Sequence, residues 1–527
     1  MRKVVVIGAG MGGMAAAARL ARAGFEVEIF EAAERVGGKC RTEWIGDYAF
    51  DVGPSLLTIP AVYRDLFKKT GKRLELVSEL QPVDPAFAYH FADGTSLTFA
   101  NLSLPSICEE IDRVLGKKAG DEWHSLMQRA EAMWDVSRGP FIESELLPIR
   151  KLLRRRGFIS DLKEIAPLET LSSLTSKYTS NPYLQKIIHR YATYTGSDPR
   201  KAPAVLLTIA FVEITFGAWH VKGGIGTLAE ALGQRCEELG VKIHLNARVE
   251  KILTEDGSAT GIMVAGRAIE ADYIISNADS ELTLNSLIAP QEKRVKRERR
   301  NLKKAERSFS GFSLLLGLDN SRVKGPIPQL RHHNVYFPEN YEREFEELFD
   351  IHEKVSDPTI YICAPHDPTM VKGENKEAWF VLVNAPLHSD THVHSDAHVH
   401  SDTHVHSDDH GVDWKDNPQA YAERILAILD QRGLRVTERL ELMEFRSPFD
   451  LERSTNAPGG SIYGTSSNGA RAAFLRTKNR SRLKNLFSVG GSAHPGGGLP
   501  LVGISGELVA EAIISAQGGV GIAKDYH

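Results

Sequence analysis

Three glycines near the start of the chain have a spacing that suits the binding of phosphate groups. Gly8, Gly10 and Gly13 follow a short apolar run, Val4 to Ile7, and precede a segment of helical composition. In such a unit the first glycine permits a tight turn, the second lets the backbone approach a pyrophosphate, and the third allows strand and helix to pack closely. The N-terminus of the helix then offers unpaired N–H groups to the phosphates. The spacing therefore predicts a dinucleotide-binding turn.

Two further signals extend this turn. Glu31 ends the second predicted strand about 20 residues beyond the glycines, where a carboxylate accepts hydrogen bonds from a ribose diol. The sequence GGKCRT then places Gly37, Gly38, Lys39 and Arg41 in a second glycine-rich pass whose two cations suit a doubly charged pyrophosphate. This second motif resembles a signature of flavoproteins of the glutathione reductase and amine oxidase types, and it therefore favours FAD over NAD as the cofactor.

Later parts of the chain carry further strand and glycine signals. Residues 241–252 alternate like a single strand, and a hairpin turn is predicted at Ala265 and Gly266. Residues 485–513 predict a strand, a glycine-rich crossing and a helix that begins at Ser505, whose N-terminal dipole would face the flavin. The cofactor domain is thus predicted to be assembled from distant pieces of the chain.

Four further segments, together with the N-terminal turn, resemble the carotenoid desaturases of the phytoene desaturase type. They are FDVGPSLL at 50–57, GAWHVKGGIGTLAEAL at 217–232, SNAD at 276–279 and HPGGGLPLV at 494–502. The resemblance spans nearly the whole chain, and it implies that the backbone at Val249 meets the adenine end of FAD. It also implies cofactor contacts from the C-terminal segment, namely from Gly490, Gly491, Pro500, Leu501 and Val502. One departure is residues 219–222, WHVK, where family members usually show an aromatic residue and then proline.

These observations predict an α/β fold with a Rossmann-type FAD-binding domain assembled from discontinuous segments and an α+β substrate domain. The FAD-binding domain is expected to comprise residues 1–85, 223–285 and 480–527. The substrate domain, which would face a membrane, is expected to comprise residues 86–222 and 286–479.

The chain contains no nucleophile elbow, no catalytic triad signature and no metal motif of the H-E-x-x-H kind, so no metal site is predicted. Desaturation needs none of these, because loss of a hydride to flavin leaves a cation that delocalises over a polyene and acidifies the neighbouring C–H group. Glu213 and His220, which flank an aromatic segment, are the candidate catalytic residues that would contact the substrate or support that charge. The alternatives are that His220 is a packed or surface side chain and that Glu213 caps or pairs locally.

Composition and charge restrict the partners. A net charge of -4 argues against nucleic acid, and four scattered cysteines indicate a reducing cytoplasm. Residues 146–165 combine leucines at helical spacing with clustered cations, which suits either an anionic membrane surface or an ordinary solvated helix face. We therefore expect a cytoplasmic, peripherally membrane-associated protein that takes an apolar polyene and passes electrons to a quinone or oxygen.

Residues 388–411 form a low-complexity insert of four copies of a six-residue unit that holds eight of the 19 histidines. The tract has too few apolar residues to fold alone, which indicates an exposed loop, with metal sequestration as the alternative.

Taken with the resemblance, the residues predict an FAD-dependent oxidoreductase that desaturates a carotenoid precursor by hydride transfer at a membrane surface. Alternatives within the flavoenzymes are a carotenoid isomerase, oxygenase or saturase, or an amine oxidase. A non-enzymatic flavin-binding or metal-binding adaptor is a third class.

Overall fold

A computed structural model describes residues 2–146, 158–390 and 411–516 of the chain. Its strands are β1 (Lys3–Ile7), β2 (Glu26–Phe30), β3 (Thr42–Ile45), β4 (Tyr48–Asp51), β5 (Leu80–Pro82), β6 (Phe87–His90), β7 (Ser96–Phe99), β8 (Trp219–Val221), β9 (Lys242–His244), β10 (Val249–Glu255), β11 (Ser258–Val264), β12 (Arg267–Glu270), β13 (Tyr273–Ser276), β14 (Ser310–Asp319), β15 (His333–Tyr336), β16 (Ile360–Cys363), β17 (Lys376–Ala385), β18 (Leu440–Arg446) and β19 (Leu486–Ser488).

The α-helices alternate with these strands and cover the sheets. They are α1 (Met11–Arg22), α2 (Ala61–Lys69), α3 (Leu104–Leu115), α4 (Ala119–Phe141), α5 (Phe158–Ile165), α6 (Leu171–Tyr178), α7 (Pro182–Thr193), α8 (Thr208–Phe216), α9 (Gly226–Glu238), α10 (Lys296–Lys304), α11 (Tyr341–Glu346), α12 (Pro418–Gln431), α13 (Val436–Arg439), α14 (Pro448–Thr455), α15 (Ala472–Leu475) and α16 (Leu499–Ser515).

A parallel sheet of order β19-β13-β1-β2-β9 draws its strands from three distant parts of the chain. Parallel strands are covered on both faces, which is why β1 is an unbroken apolar run rather than an alternating one. On one face Val4 and Val6 pack in the same apolar cluster as α1, α9 and α16, and on the other Val5 and Ile7 pack with the antiparallel sheet β10-β11-β12.

A second, mixed sheet has seven strands in the order β18-β14-β17-β16-β15-β6-β7, of which only β15 and β6 pair in parallel. Helices α3, α4, α6, α7 and α8 contribute to the apolar cluster that also contains Phe87 and Val335 of this sheet. The predicted α/β fold, a Rossmann-type unit joined to a second α+β unit, is confirmed. The predicted domain boundaries remain a prediction.

Three details differ from the sequence expectations. Residues 241–252 are two strands, β9 and β10, because the backbone turns at Asn246, which adopts a positive φ of 54° that asparagine tolerates. The final helix begins at Leu499 rather than Ser505, since Pro500 in its first turn needs no amide partner. Residues 307–319 alternate and then turn apolar, which predicts a strand with one face toward an apolar pocket, whereas β14, the strand that forms there, is buried on both faces.

The hairpin predicted at Ala265 and Gly266 is confirmed, since both residues have positive φ between β11 and β12. Most of the basic segment 146–165 and of the histidine-rich insert 388–411 lies outside the described residues, namely at 147–157 and 391–410. Within the described ranges, no helix combines the length and the apolar character that crossing a membrane requires.

Candidate functional site

The glycines of the first motif lie where the carboxyl ends of β1, β2, β13 and β19 meet. Gly8 has a φ of +95°, a conformation that favours glycine. A Cβ atom on Gly13 would lie 2.6 Å from the Gly8 carbonyl oxygen, and one on Gly10 would lie 2.4 Å from Asn277 Nδ2. Only glycine therefore fits at these positions of the turn. Helix α1 starts directly after it.

Asn277 is the residue that the sequence analysis missed at this site. Its Oδ1 accepts a hydrogen bond of 3.0 Å from the backbone N–H of Gly13, and its own N–H donates to the Ile7 carbonyl at 2.8 Å. Cβ atoms added to Gly12 and Gly490 would lie 3.0 and 2.9 Å from the same Oδ1. The Asn277 side chain thus ties the first turn to the C-terminal glycine segment. Its position directly after β13 was the available signal.

Glu31 lies directly beside the glycine turn. Its Oε2 accepts a hydrogen bond of 2.7 Å from Ala9 N, and its Oε1 accepts one of 2.8 Å from Ala33 N. Two backbone bonds fix the carboxylate at the end of β2, where a ribose diol would lie in a dinucleotide complex.

The second glycine motif packs against the first. Gly37 N donates to the Ala9 carbonyl at 2.8 Å, and Gly37 and Gly10 form an isolated parallel bridge. A Cβ atom on Gly38 would lie 3.3 Å from the Gly10 Cα. The two backbone passes therefore lie side by side, as the sequence predicted.

Lys39 and Arg41, the two cations of this motif, make contacts with different parts of the protein. Lys39 Nζ donates to the carbonyls of Ser461 at 3.2 Å and Ile462 at 2.8 Å. The side chain is exposed to solvent, and desolvation by the neighbouring protein lowers its pKa while the charge of Asp279 opposes that shift. Arg41 forms an ion pair of 3.5 Å with Glu43. It lines a cavity of about 370 Å³ with Glu43, Val52, Arg446, Asp450, Leu451, Arg453 and Ser454.

The C-terminal glycine segment closes the site on the side of β19. Gly490 has a φ of +98°, and a Cβ atom on Gly491 would lie 3.6 Å from the Gly497 Cα. Pro500, Leu501 and Val502 form the first turn of α16, and Val502 N donates to the Gly498 carbonyl at 3.0 Å. The helix dipole places partial positive charge at this end.

Arg476 supports this segment and was not predicted. Its guanidinium donates to the carbonyls of Gly491 at 3.0 Å, Tyr463 at 3.2 Å and Thr465 at 2.6 Å. Burial lowers its pKa to about 10, with Asp279 acting in the opposite direction. One buried cation thus holds three backbone carbonyls in place.

Val249 opens β10 and lies in the apolar cluster that contains Ile7 and Phe30, at the carboxyl ends of β1 and β2. This places its backbone on the side of the sheet where Glu31 ends β2.

Glu213 lies on α8 inside the second unit, 5% exposed. Its Oε1 accepts a hydrogen bond of 2.7 Å from the Tyr191 hydroxyl, and its Oε2 accepts one of 2.9 Å from the Tyr194 hydroxyl. Burial raises the pKa of Glu213, and the charge of Arg190 and the two tyrosine hydroxyls act against that shift. The carboxylate is therefore the anionic partner of a buried cation.

Arg190 itself is 6% exposed, and its guanidinium carbon lies over four aromatic rings. The rings are those of Tyr194 at 4.9 Å, Phe87 at 5.1 Å, Tyr361 at 5.9 Å and Tyr89 at 6.0 Å.

His220 is buried on β8 and bonded to an acid. Its Nε2 lies 2.9 Å from Asp367 Oδ2, which also accepts 2.7 Å from Gly223 N. Burial alone would raise the pKa of Asp367, but these bonds and those from Thr369 lower it to about 2. The structure does not pair His220 with Glu213. It connects them through a path of rings, from His220 through His332, His333 and Tyr361 to Arg190.

The sequence profile described as "Flavin containing amine oxidoreductase" matches residues 11–302. The chain belongs to this family. It is 32% identical to a 4,4'-diapolycopene oxygenase of Methylomonas sp, over 98% of this chain and 98% of that protein. It is 31% identical to a zeta-carotene-forming phytoene desaturase of Myxococcus xanthus, over 98% and 95%. A hydroxyneurosporene desaturase of Rubrivivax gelatinosus is 30% identical over 97% and 93%.

Solved structures with the same fold include an oxidoreductase from Methanosarcina mazei and a cyclohexylamine oxidase from Brevibacterium oxydans. The first covers 97% of this chain and 100% of its own, with a TM-score of 0.60 and 17% identity. The second covers 98% and 99%, with a TM-score of 0.59 and 14% identity. The predicted membership of the carotenoid desaturase family within the flavin amine oxidases is confirmed, and FAD is the cofactor of this oxidoreductase.

Proposed function

We propose that this protein introduces double bonds into a carotenoid precursor by transferring hydride from the polyene to FAD. The proposal rests on two facts taken together. The dinucleotide turn at Asn277 is packed so closely that it needs glycine. Carotenoid enzymes match this chain over 98% of its length. We further propose that the protein works at a membrane surface on the cytoplasmic side and passes the electrons to a quinone or oxygen.

The residues at the sheet edge fit FAD sterically. Cβ atoms at Gly10, Gly13 and Gly37 would each lie within 2.6 Å of a protein atom, so the close packing of these two backbone passes depends on glycine. We assign the pyrophosphate to these turns and the ribose diol to Glu31, with Val249 at the adenine end. The flavin ring is assigned to the C-terminal segment, through Gly490, Gly491, Pro500, Leu501 and Val502. When bound, FAD supplies the two-electron acceptor.

Lys39 and Arg476 are the cations that we assign to the cofactor region. Lys39 is fixed by the carbonyls of two residues, whereas Arg476 holds the Gly491 carbonyl. Gly38 and Arg41 complete the second motif, in which Arg41 faces the cavity on the side of Glu43. Cations at these positions favour negative charge on the cofactor.

Of the two candidate catalytic residues, His220 is the better placed to move a proton. Both oxygens of Glu213 already accept tyrosine hydrogen bonds, and its charge offsets Arg190. His220 is held by Asp367, a carboxylate whose lowered pKa keeps it ionised. A carboxylate partner fixes the orientation of an imidazole. We assign proton removal to His220 and the shaping of the substrate path to Glu213.

An oxygenase is the second candidate, because the relative at 32% identity is named a 4,4'-diapolycopene oxygenase. The two functions differ in what enters the product. A desaturase removes two hydrogens and adds no atom, whereas an oxygenase adds oxygen to the carotenoid.

The test is a single-turnover reaction of FAD-loaded protein with phytoene or its shorter analogue in liposomes, run anaerobically and then repeated with oxygen. Flavin bleaching together with a longer polyene chromophore supports desaturation. A product that forms only with oxygen and gains its mass supports the oxygenase, and product change without net bleaching supports isomerisation. If no carotenoid reacts, the proposed substrate class is wrong. A Gly13→Ala variant in this assay has Gly139→Ala as its matched control, since a Cβ atom at Gly139 meets nothing within 4 Å.

A further inference from the structure

Three potential metal ligands meet inside the seven-stranded sheet, outside the cofactor turns. His333 begins β15 and pairs directly with Cys363, the last residue of β16. The backbone of His332 is fixed by its carbonyl, which accepts a hydrogen bond of 2.8 Å from Ala364 N. One donor atom from each of the three side chains lies within 4.8 Å of the others, and all three residues are buried. A sequence motif could not reveal them, because the sheet register brings the cysteine to the histidines.

The two histidines have the hydrogen bonding that a metal requires. Among the described residues, neither His332 Nε2 nor His333 Nε2 has a hydrogen-bond partner, although both atoms are buried. His333 Nδ1 lies 2.8 Å from the Tyr361 hydroxyl, so Nε2 is the nitrogen that stays available. Buried polar atoms without partners call for an explanation, and a bound ion supplies one.

The surroundings also resemble the outer layer of a metal site. The Tyr361 hydroxyl that contacts His333 is itself 2.8 Å from Ser55 Oγ. The ring of His220, anchored by Asp367, lies 4.9 Å from that of His332. Asp51 is buried close enough to Cys363 for the two side chains to interact electrostatically. Groups of this kind orient ligands and balance the charge of the ion.

We propose that His332, His333 and Cys363 bind one zinc-like divalent cation that ties β15 to β16. Two imidazole nitrogens and one thiolate form a donor set that zinc accepts, with bonds of roughly 2.0 to 2.3 Å. Side-chain rotations that draw the three donor atoms together complete the geometry. Binding replaces the thiol proton of Cys363 by the metal and releases that proton to solvent, with no change in oxidation state.

The test uses Co²⁺ as the probe, because a thiolate bound to cobalt gives a near-ultraviolet charge-transfer band that nitrogen and oxygen ligands do not give. The full chain, loaded with FAD, is purified under reducing conditions from cells grown with Co²⁺. Its metal content and its difference spectrum are then measured against protein from zinc-grown cells. The histidine-rich insert contains no cysteine, so cobalt bound there does not produce this band.

We expect the thiolate band in the unmodified protein, and we expect Cys363→Ser to abolish it. His332→Asn and His333→Asn should each shift or weaken it. Cys108→Ser is the matched control and should keep the band, because Cys108 lies on α3, away from the cluster. Absence of the band in the unmodified protein overturns the proposal, as does a band that survives Cys363→Ser. Because the readout is spectroscopic, it is independent of any carotenoid activity.

Discussion

Replacement of Glu213 by leucine tests whether the buried carboxylate is needed to keep Arg190 inside the fold. Arg190 is 6% exposed and its Nη1 has no hydrogen-bond partner among the described residues. The carboxylate of Glu213 offsets its charge and accepts the hydroxyls of Tyr191 and Tyr194. The Glu213→Leu substitution therefore leaves a buried cation without its anion and two tyrosines without their acceptor.

The expected loss in free energy of unfolding is large. Removing one partner of a contacting buried ion pair costs about 3 to 5 kcal/mol, and the loss of Glu213, which acts on Arg190 through its charge without a direct ion pair, should cost less than that by itself. Each stranded tyrosine hydroxyl would cost about 1 to 3 kcal/mol alone, but contributions within one network do not add. We therefore expect the free energy of unfolding to fall by about 3 to 5 kcal/mol in total. Removing the cation as well, in Arg190→Met combined with Glu213→Leu, should restore part of this stability.

The assay is urea unfolding of the FAD-loaded protein, followed by flavin release and by tryptophan fluorescence. Glu230→Leu is the matched control, since Glu230 is an exposed residue of α9. We expect the control to change stability by about 0.5 kcal/mol or less, as surface substitutions do. The reasoning is refuted if Glu213→Leu loses no more than the control, or if the double variant is as unstable as the sum of the two single variants.

Three further predictions concern other positions. Gly13→Ala should abolish FAD retention after gel filtration, because its Cβ atom would lie 2.6 Å from the Gly8 carbonyl oxygen, whereas Gly139→Ala should retain FAD. Arg476→Met should lower FAD retention by freeing three carbonyls, measured as the dissociation constant for FAD. Burial raises the pKa of Glu344 from 4.5 to about 7, so the folded chain keeps a proton that the unfolded chain has lost, and stability falls as the pH rises between these values. Glu344→Gln should remove about 3 kcal/mol of that pH dependence in urea titrations from pH 4.5 to pH 8.

The N-terminal turn was predictable because its physics is local. The conformation of Gly8, the closeness of Gly13 to the Gly8 carbonyl, and the placement of Glu31 at the end of a strand follow from a run of contiguous residues. The same local logic located the final glycine segment and its helix. The predicted start of this helix was too late, because the residues around Pro500 were not recognised as its first turn.

The partners of that turn were not predictable, because they reach it through tertiary structure. Asn277 contacts Gly13 only when β13 pairs with β1, and Arg476 meets Gly491 only when the glycine crossing folds over it. The strand predicted over 241–252 failed for a related reason. The residue types do alternate over this segment, but at Asn246 the chain turns from the five-stranded sheet to the sheet β10-β11-β12. Alternation does not indicate which sheet a strand joins.

The buried pair of Arg190 and Glu213 also constrains where a substrate cation could be stabilised. A lone carboxylate in an apolar interior would attract a carbocation, but the charge of Glu213 is already offset by Arg190 and shared with two tyrosine hydroxyls. The pair is close to neutral as a unit, so its field falls off quickly with distance. Aromatic faces carry negative potential and attract cations without a formal charge. The faces of the rings around Arg190 already hold its guanidinium, so we assign to Glu213 the part of keeping those rings and their cation in place rather than that of stabilising a transient polyene cation.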